Sequence, residues 1–565
     1  MIPATPWLSH YDPGVPSTLA PYPRRTLLDY VADAAREQPD APALLFKRAA
    51  VSHGELARLS DAFAAALASM GVVKGDRVAL LLPNCPQFLV AELAAWKVGA
   101  IVVPLNPIYT ERELEDSLRD TGSETIVTLT RFYARVKGLQ SRTPLRRIIA
   151  TNIKEHFPPA LRLLFTLVRE RREGDRVALA EGDHDYARLL QAHRARTPPP
   201  APITADDPAV LLMSGGTTGT PKSVLGRHGH YVATGLQVQA WTSSVLGIGD
   251  SVILLPLPLF HVYANVGVQG LALLTRNPMA LVPNPRDLSD VLATIRRVKP
   301  AFFSGVPALY VALLNHEDVQ RKQVDFSSIK ICFSGAAPLM ADTKLRFESL
   351  TGGRIVEGYS LTEVMMALCI NPVRGSNKTG SVGMPLPDVH IRIVDGDEGT
   401  RQLPAGEVGE VCVSAPQLMA GFWNRPDETA AALREHPDPT GVRTWLHTGD
   451  LGYLDDDGFL FIVDRKKDLI KTSGYQVWPR EVEEALALHP AVAEVGVAGV
   501  PDDMKGEAVK AWVVLRAGKQ ATEADLRAFC REKLAAYKVP SHIEFRADLP
   551  KTIVGKVLRR ALRGA

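Results

Sequence analysis

Short apolar runs alternate with segments of helical spacing through most of this chain, and that alternation limits what it can fold into. Residues 78–82 are an apolar run, residues 86–98 carry helical spacing with proline at the start, and residues 100–103 are apolar again. Strand, helix, strand in that order favours parallel strands with helices on their faces. The order recurs, with helices expected over 289–298 and 340–350 and strands over 301–304 and 329–334. From 380 to 413 the texture shifts to short alternating runs broken by Gly and Pro, which predicts an antiparallel β-subdomain. After Asp464 a helix is expected over 479–488, strands over 492–500 and 509–515, and a helix from Ala524 with Thr522 and Asp525 spaced as a capping pair. The expected fold class is therefore α/β: a large N-terminal body of α/β sheets plus a β-subdomain, then a small C-terminal α/β domain. The expected division is 1–466 and 467–565, with the charged run 464–468 as the link.

Composition removes several function classes. The 65 basic and 62 acidic side chains nearly cancel, so the charge is no footprint for nucleic acid. Cys85, Cys332, Cys369, Cys412 and Cys530 are odd in number and far apart, which argues against disulfides or zinc and for a reducing, cytoplasmic compartment. Residues 1–14 have no basic segment leading into an apolar one, so no secretory signal is expected. Residues 251–275 carry no Lys, Arg, Asp or Glu, but Pro256, Pro258, Asn265 and Gln269 suit a buried core better than hydrocarbon.

The densest chemical signal follows the apolar run 209–213. Ser214, Gly215, Gly216, Thr217, Thr218, Gly219, Thr220, Pro221 and Lys222 combine a freely turning backbone with hydroxyl and ammonium donors. Such a loop cradles a polyphosphate, although no Ser or Thr follows the lysine and the glycine spacing departs from the Walker P-loop. This loop is similar to the phosphate loop of the adenylate-forming superfamily. The superfamily's other segments follow in order: PLFH at 258–261, SGAAPL at 334–339, EGYSLTE at 357–363, TGD at 448–450, DRKKD at 464–468 and PKTIVGK at 550–556. Within that superfamily, the stretches 463–470 and 554–560 are most similar to bacterial long-chain fatty-acid–CoA ligases.

The resemblance implies a reaction: a carboxylate attacks the α-phosphate of ATP, pyrophosphate leaves, and the thiol of coenzyme A takes the acyl group. Anion meets anion in the first step, so the site must supply cations and donors. By resemblance Lys556 is the catalytic cation, and Glu363 and Thr217 hold Mg²⁺ between phosphate oxygens. Asp450 and Arg465 receive the ribose, Tyr359 stacks on adenine, and Gly335, Ala336 and Ala337 form the facing wall. Glu357, Gly358, Ser360 and Thr362 complete the nucleotide site. Ser473, Gly474 and Tyr475 resemble the pantetheine channel, and Lys467 the hinge about which a mobile C-terminal domain turns. Ser223 and Ser360 stand where relatives usually carry glycine; each would be strained if its backbone were left-handed.

Apolar segments beside these motifs suit an alkyl chain, with His261, Val262, Phe303 and Met365 as acyl-pocket candidates. No acidic residue stands in 302–306 to hold a substrate ammonium. Asn265 occupies the place where some long-chain relatives carry a tryptophan gate. Residues 157–172 form a short apolar helix ending in basic residues, which suits either a membrane interface or a buried helix with a basic cap. The expected activity is activation of a long- or medium-chain fatty acid and its transfer to CoA. A specialised aryl acid, a carrier-protein acceptor, or a non-catalytic nucleotide-binding sensor stand as alternatives, and relatives imply a homodimer.

Overall fold

The computed structural model describes residues 5–214, 222–337, 339–395, 399, 401–438, 441–473, 475–502, 504–551 and 557–563. The apolar run after residue 76 becomes the strand Arg77–Leu81, the helix Pro86–Lys97 follows, and Ile101–Pro104 returns parallel to the first strand. These strands centre an eight-stranded sheet whose parallel run also takes in Thr125–Leu129, Arg147–Thr151, His184–Asp185 and Pro208–Met213. Alternation along Arg77–Leu81 sends Val78 and Leu80 into one buried cluster and Ala79 and Leu81 into another, so both faces of the sheet are covered.

The first of these clusters continues through buried helices to a nine-stranded sheet. There Phe302–Gly305, Ile331–Ser334 and the first half of Arg354–Leu361 run parallel. The helices Leu288–Val298 and Ala341–Thr351 stand where the helical spacing puts them. Residues of the uncharged stretch 251–275 lie in this core as the strand Ile253–Leu255, a π-helical turn Tyr263–Val268 and the helix Gln269–Thr275. Among the described residues no helix is long and apolar enough to cross a membrane.

The antiparallel region is larger than its sequence texture suggested. His390–Val394, Gly409–Ser414, Gly441–Leu454, Leu433–Asp438 and Leu460–Arg465 form one five-stranded sheet. Beyond it, Val492–Asp502 and Gly506–Leu515 pair antiparallel, with the helices Pro479–Ala487 and Glu523–Arg531 beside them. Ile470, Val482, Val497, Val513 and Leu526 close a separate hydrophobic cluster there. Thr522 caps the helix Glu523–Arg531, its hydroxyl and Asp525 bonded reciprocally across the first turn.

Candidate active site

One strand sets out much of the site. Arg354–Leu361 starts beside Ile331–Ser334 with Ser334 opposite Glu357, then pairs antiparallel with Met366–Ile370. Its register is irregular between Tyr359 and Ser360, and a 3₁₀ turn Thr362–Val364 follows. Glu357, Gly358, Tyr359, Ser360, Thr362 and Glu363 are thus carried in sequence along one extended segment. Gly335 faces it across a cleft: a Cβ there would lie 3.6 Å from the Gly358 carbonyl oxygen and 3.4 Å from the Tyr263 ring. The next residue, Ala336, takes φ +67°, turning the backbone sharply at that wall. The cleft is lined by Tyr263, Phe333, Ser334, Tyr359, Ser360 and Met366 among others.

Sequence reasoning did not single out Ser334 as a binding group. Its hydroxyl lines the cleft, buried and without a hydrogen-bond partner among the described residues. A polar atom left so in a cleft wall is ready for a ligand.

The antiparallel sheet brings the second half. Asp450 and Arg465 stand opposite each other on neighbouring strands, and Arg465 Nε lies 2.9 Å from Asp450 Oδ1. The Tyr359 hydroxyl donates to Asp450 Oδ2 at 2.5 Å, which joins the two sheets at the site. Burial, reinforced by Asp450, holds the Tyr359 phenol far above its ordinary pKa, so it is a neutral donor. Arg465 is desolvated, but Asp450, Tyr359 and Glu363 hold its pKa above the usual value. Burial raises the Glu363 carboxyl, while Arg465 pulls it down and Asp450 pushes it up. Glu357 is also raised by burial, and one of its oxygens accepts the Leu339 N–H at 3.4 Å.

The phosphate loop springs from a hairpin. Met213 lies opposite Ser223, and the Ser214 N–H donates to the Lys222 carbonyl at 2.8 Å. Residues 215–221, which include Gly215, Gly216, Thr217, Thr218 and Gly219, lie outside the described residues, as do Gly474 and Lys556. The Lys222 ammonium is ion-paired with Glu428 and lies 4.8 Å from the Phe422 ring centre. Neither Ser223 nor Ser360 has a left-handed backbone, so serine is unstrained at both. Ser223 instead donates its hydroxyl to Asp120 at 2.6 Å, and Asp120 pairs with Arg425.

The acyl candidates divide. His261 precedes the π-helical turn, its Nδ1 accepting the Tyr263 N–H at 3.3 Å; burial pushes its pKa down to about 4, so the ring is neutral. Val262 is buried beside it. Phe303 is not in the cleft wall: it packs on Tyr310 and Phe347, and Phe333 of the next strand faces the cleft instead. Met365 fills the space a side chain on Gly226 would need, and the neighbouring Met366 faces the cleft. For the methionines one residue along the chain separates lining from core, which an apolar run does not reveal.

Of the remaining candidates, Ser473 donates its N–H to Lys505, and Tyr475 stacks on Tyr537 at 4.5 Å. Burial and the nearby Arg465 lower the Lys467 pKa. Arg559 Nη1 bonds Asp464 at 2.6 Å and Asp468 at 3.3 Å, bracketing Lys467.

The AMP-binding enzyme model matches residues 31–423, and the AMP-binding enzyme C-terminal domain model matches residues 481–556. This chain belongs to the AMP-binding enzyme family. The long-chain-fatty-acid–CoA ligase of Bacillus subtilis is 40% identical to this AMP-binding enzyme over 560 residues, 99% of this chain and 97% of that one. The 4-coumarate–CoA ligase 2 of Oryza sativa is 34% identical, covering 95% of this chain and 92% of its own. Among solved structures, ATP-bound MatB from Rhodopseudomonas palustris superposes with a TM-score of 0.80 at 27% identity, over 95% of this chain and 98% of that chain.

Proposed function

We propose that this AMP-binding enzyme is an acid–thiol ligase that activates a long-chain fatty acid with ATP and transfers it to coenzyme A. The observation that carries the reading is the end-to-end 40% identity with a long-chain-fatty-acid–CoA ligase, higher than that with the 4-coumarate ligase. The apolar wall of Tyr263, Phe333 and Met366 next to Tyr359 supports it. In the first half-reaction a carboxylate oxygen bonds the α-phosphorus and pyrophosphate leaves. In the second, the CoA sulfur bonds the acyl carbon, AMP departs and the thiol proton goes to solvent.

In this reading Asp450 and Arg465 receive the ribose, Tyr359 and the 335–337 wall hold adenine, and Ser214, the loop and Lys222 receive the phosphates. Lys222 would leave Glu428 to do so. Lys556 supplies the mobile cation. The Glu363 carboxyl is a hard oxygen ligand whose charged form Arg465 and Lys222 favour, and Mg²⁺ held there and by Thr217 would neutralise phosphate charge. Among the described residues no cluster of three or more His, Cys, Asp and Glu side chains offers another metal site. The chain divides near Lys467 into a body and a mobile C-terminal domain. Arg559 then clamps the hinge to Asp464, and that contact must break for the domain to turn.

Acid-dependent ATP–pyrophosphate exchange over saturated and unsaturated acids, benzoates and cinnamates tests the reading. Exchange is expected to peak with long-chain acids, and thioester to appear only when CoA is added. A peak with an aryl acid would overturn the substrate class, the second reading favoured by the 4-coumarate ligase; no exchange beside ATP binding would leave a sensor.

The same reading extends to a lipid surface. In the helix Pro159–Val168, Leu163, Leu164, Leu167 and Val168 are 61%, 57%, 75% and 59% exposed, and only Phe165 is buried. This exposure supports the interfacial reading over the buried helix. Arg162, Arg169, Arg171 and Arg172 are exposed within this helix and just past its end. An apolar face rimmed by arginines fits an anionic bilayer, where long-chain acids partition, whereas a second copy would bring like charges together. Wild-type protein is expected to sediment with phosphatidylglycerol vesicles and not with phosphatidylcholine alone. The L164D/L167D double variant should lose about a hundredfold or more in binding, since each leucine contributes roughly 1.5–3 kcal/mol when buried. Equal sedimentation of both proteins would overturn the assignment.

A further inference from the structure

The helix Pro86–Lys97 carries a carboxylate where none is expected. From Pro86 to Trp96 every residue is buried, Glu92 included, and no cation neutralises it. Its two oxygens are taken by two amides: Asn265 Nδ2 donates to Oε1 at 2.7 Å and Gln269 Nε2 to Oε2. Asn265 in turn accepts the Tyr231 hydroxyl through Oδ1. Four side chains, all fully buried, thus tie three helical segments together: Pro86–Lys97, His228–Thr242 and the run 263–275. Gln269 leaves its own Oε1 without a partner to reach the carboxylate.

Asn265 sits in the middle of the π-helical turn Tyr263–Val268, and Gln269 begins the helix after it. A π-helical turn is a costly local conformation and persists only where its surroundings fix it. Both ends of this one are fixed on residues that line the cleft. Tyr263, its first residue, is a lining side chain, and Met366, another, sits where a side chain on Gly267 would be, 2.5 Å from an ideal Cβ there. On the far side Gly235 and Gly270 bring the helices into close backbone contact, so the turn cannot relax in that direction.

We propose that Glu92 is a positioning residue for the acid: through Asn265 and Gln269 it holds the π-helical turn so that Tyr263 and Met366 set the width of the cleft and with it the preference among acyl chains. This rests on the reading of the cleft as the place where acid and nucleotide meet. Burial raises the Glu92 carboxyl to about 7 against the pull of its two amide donors, in keeping with a group retained for its geometry. Among the described residues, the hydrogen bonds of Glu92 run to Asn265 and Gln269 and none runs to the strands Arg354–Leu361 and Gly441–Leu454.

The test compares wild type with Glu92→Ala and Glu92→Gln in two measurements. In E92A the ratio of kcat/KM for palmitate over octanoate is expected to change about tenfold, while the KM for ATP stays within about twofold, because two buried amides lose their acceptor on one wall only. E92Q, which keeps the size and one acceptor, should fall between. Separately, without any substrate, amide hydrogen exchange over 263–275 is expected to accelerate in E92A and not elsewhere. An unchanged chain-length ratio, or a loss shared equally by every acid and ATP with lowered Tm, would overturn the proposal. If wild type activates no fatty acid, the functional reading fails by itself, and unaltered exchange over 263–275 would still sink the positioning role.

Discussion

Replacing Lys556 with alanine is expected to lower acid-dependent ATP–pyrophosphate exchange by about two to three orders of magnitude, the scale of removing one preorganised charge from a transition state. ATP binding should weaken by less than about threefold, since a group that acts only as charge develops costs turnover and not ground-state affinity. The reasoning is electrostatic. A carboxylate must approach a polyphosphate, and repulsion between two anions in a cleft closed from water is severe unless a cation lies between them. Lys556→Arg keeps the charge but changes its shape and reach, and should recover part of the rate. Exchange measured at saturating ATP, alongside direct nucleotide binding, separates the cases. If the alanine variant exchanged at the wild-type rate, the role given to Lys556 would be wrong. If only the KM for ATP rose, Lys556 would be a binding contact.

The second large effect concerns Asp450. Its two oxygens serve Arg465 and the Tyr359 hydroxyl, and its own N–H is held by Thr448 Oγ1 at 3.0 Å. Asp450→Ala would leave a largely buried guanidinium without its carboxylate, which costs about 3 kcal/mol or more of stability. The ribose would lose its acceptor, and the KM for ATP should rise by about a hundredfold, the order expected when charged hydrogen bonds in a buried site are lost. Asp450→Asn separates the two consequences. It keeps the shape and one acceptor, so the fold should survive while nucleotide affinity falls. Thermal unfolding and the KM for ATP, measured on both variants, check this. An alanine variant with wild-type ATP affinity would remove Asp450 from the nucleotide site. Losing the Asp450 charge should also lower the Glu363 pKa, since Asp450 is among the groups that raise it.

Much of this site is legible in the sequence because its parts are contiguous. Residues 357–363 lie in one strand and turn, so a motif in the text is also a motif in space. The pairing of Asp450 with Arg465 is nearly as plain, being a cross-strand neighbour within one antiparallel sheet. What could not be read depends on long-range register or exposure. Phe303 packs on Tyr310 and Phe347 and Met365 lies against Gly226, while Phe333 of the adjacent strand and Met366 line the cleft. The Glu92 network joins residues 173 positions apart, with no pattern along the chain to announce it. Residues 157–172 suit either a membrane interface or a buried helix with a basic cap, and the text does not reveal that its leucines are exposed. Ser223 and Ser360 looked like strained replacements for glycine because the text does not state a backbone angle; with right-handed or extended geometry, serine has nothing to give up.

The strand Arg354–Leu361 changes partners halfway along, parallel to the sheet core at one end and antiparallel to Met366–Ile370 at the other. Tyr359 therefore rides on a stiff strand anchored in the sheet core, and Glu363 on the turn that directly follows it. Of the other lining residues, Tyr263 begins the π-helical turn, while Met366 pairs with the strand itself, opposite Leu361. A lineage built this way can exchange one acid for another while its nucleotide chemistry stays fixed, much as a tool holder keeps its grip while the bit is changed. The change from parallel to antiparallel pairing is drawn in the hydrogen bonding of one strand.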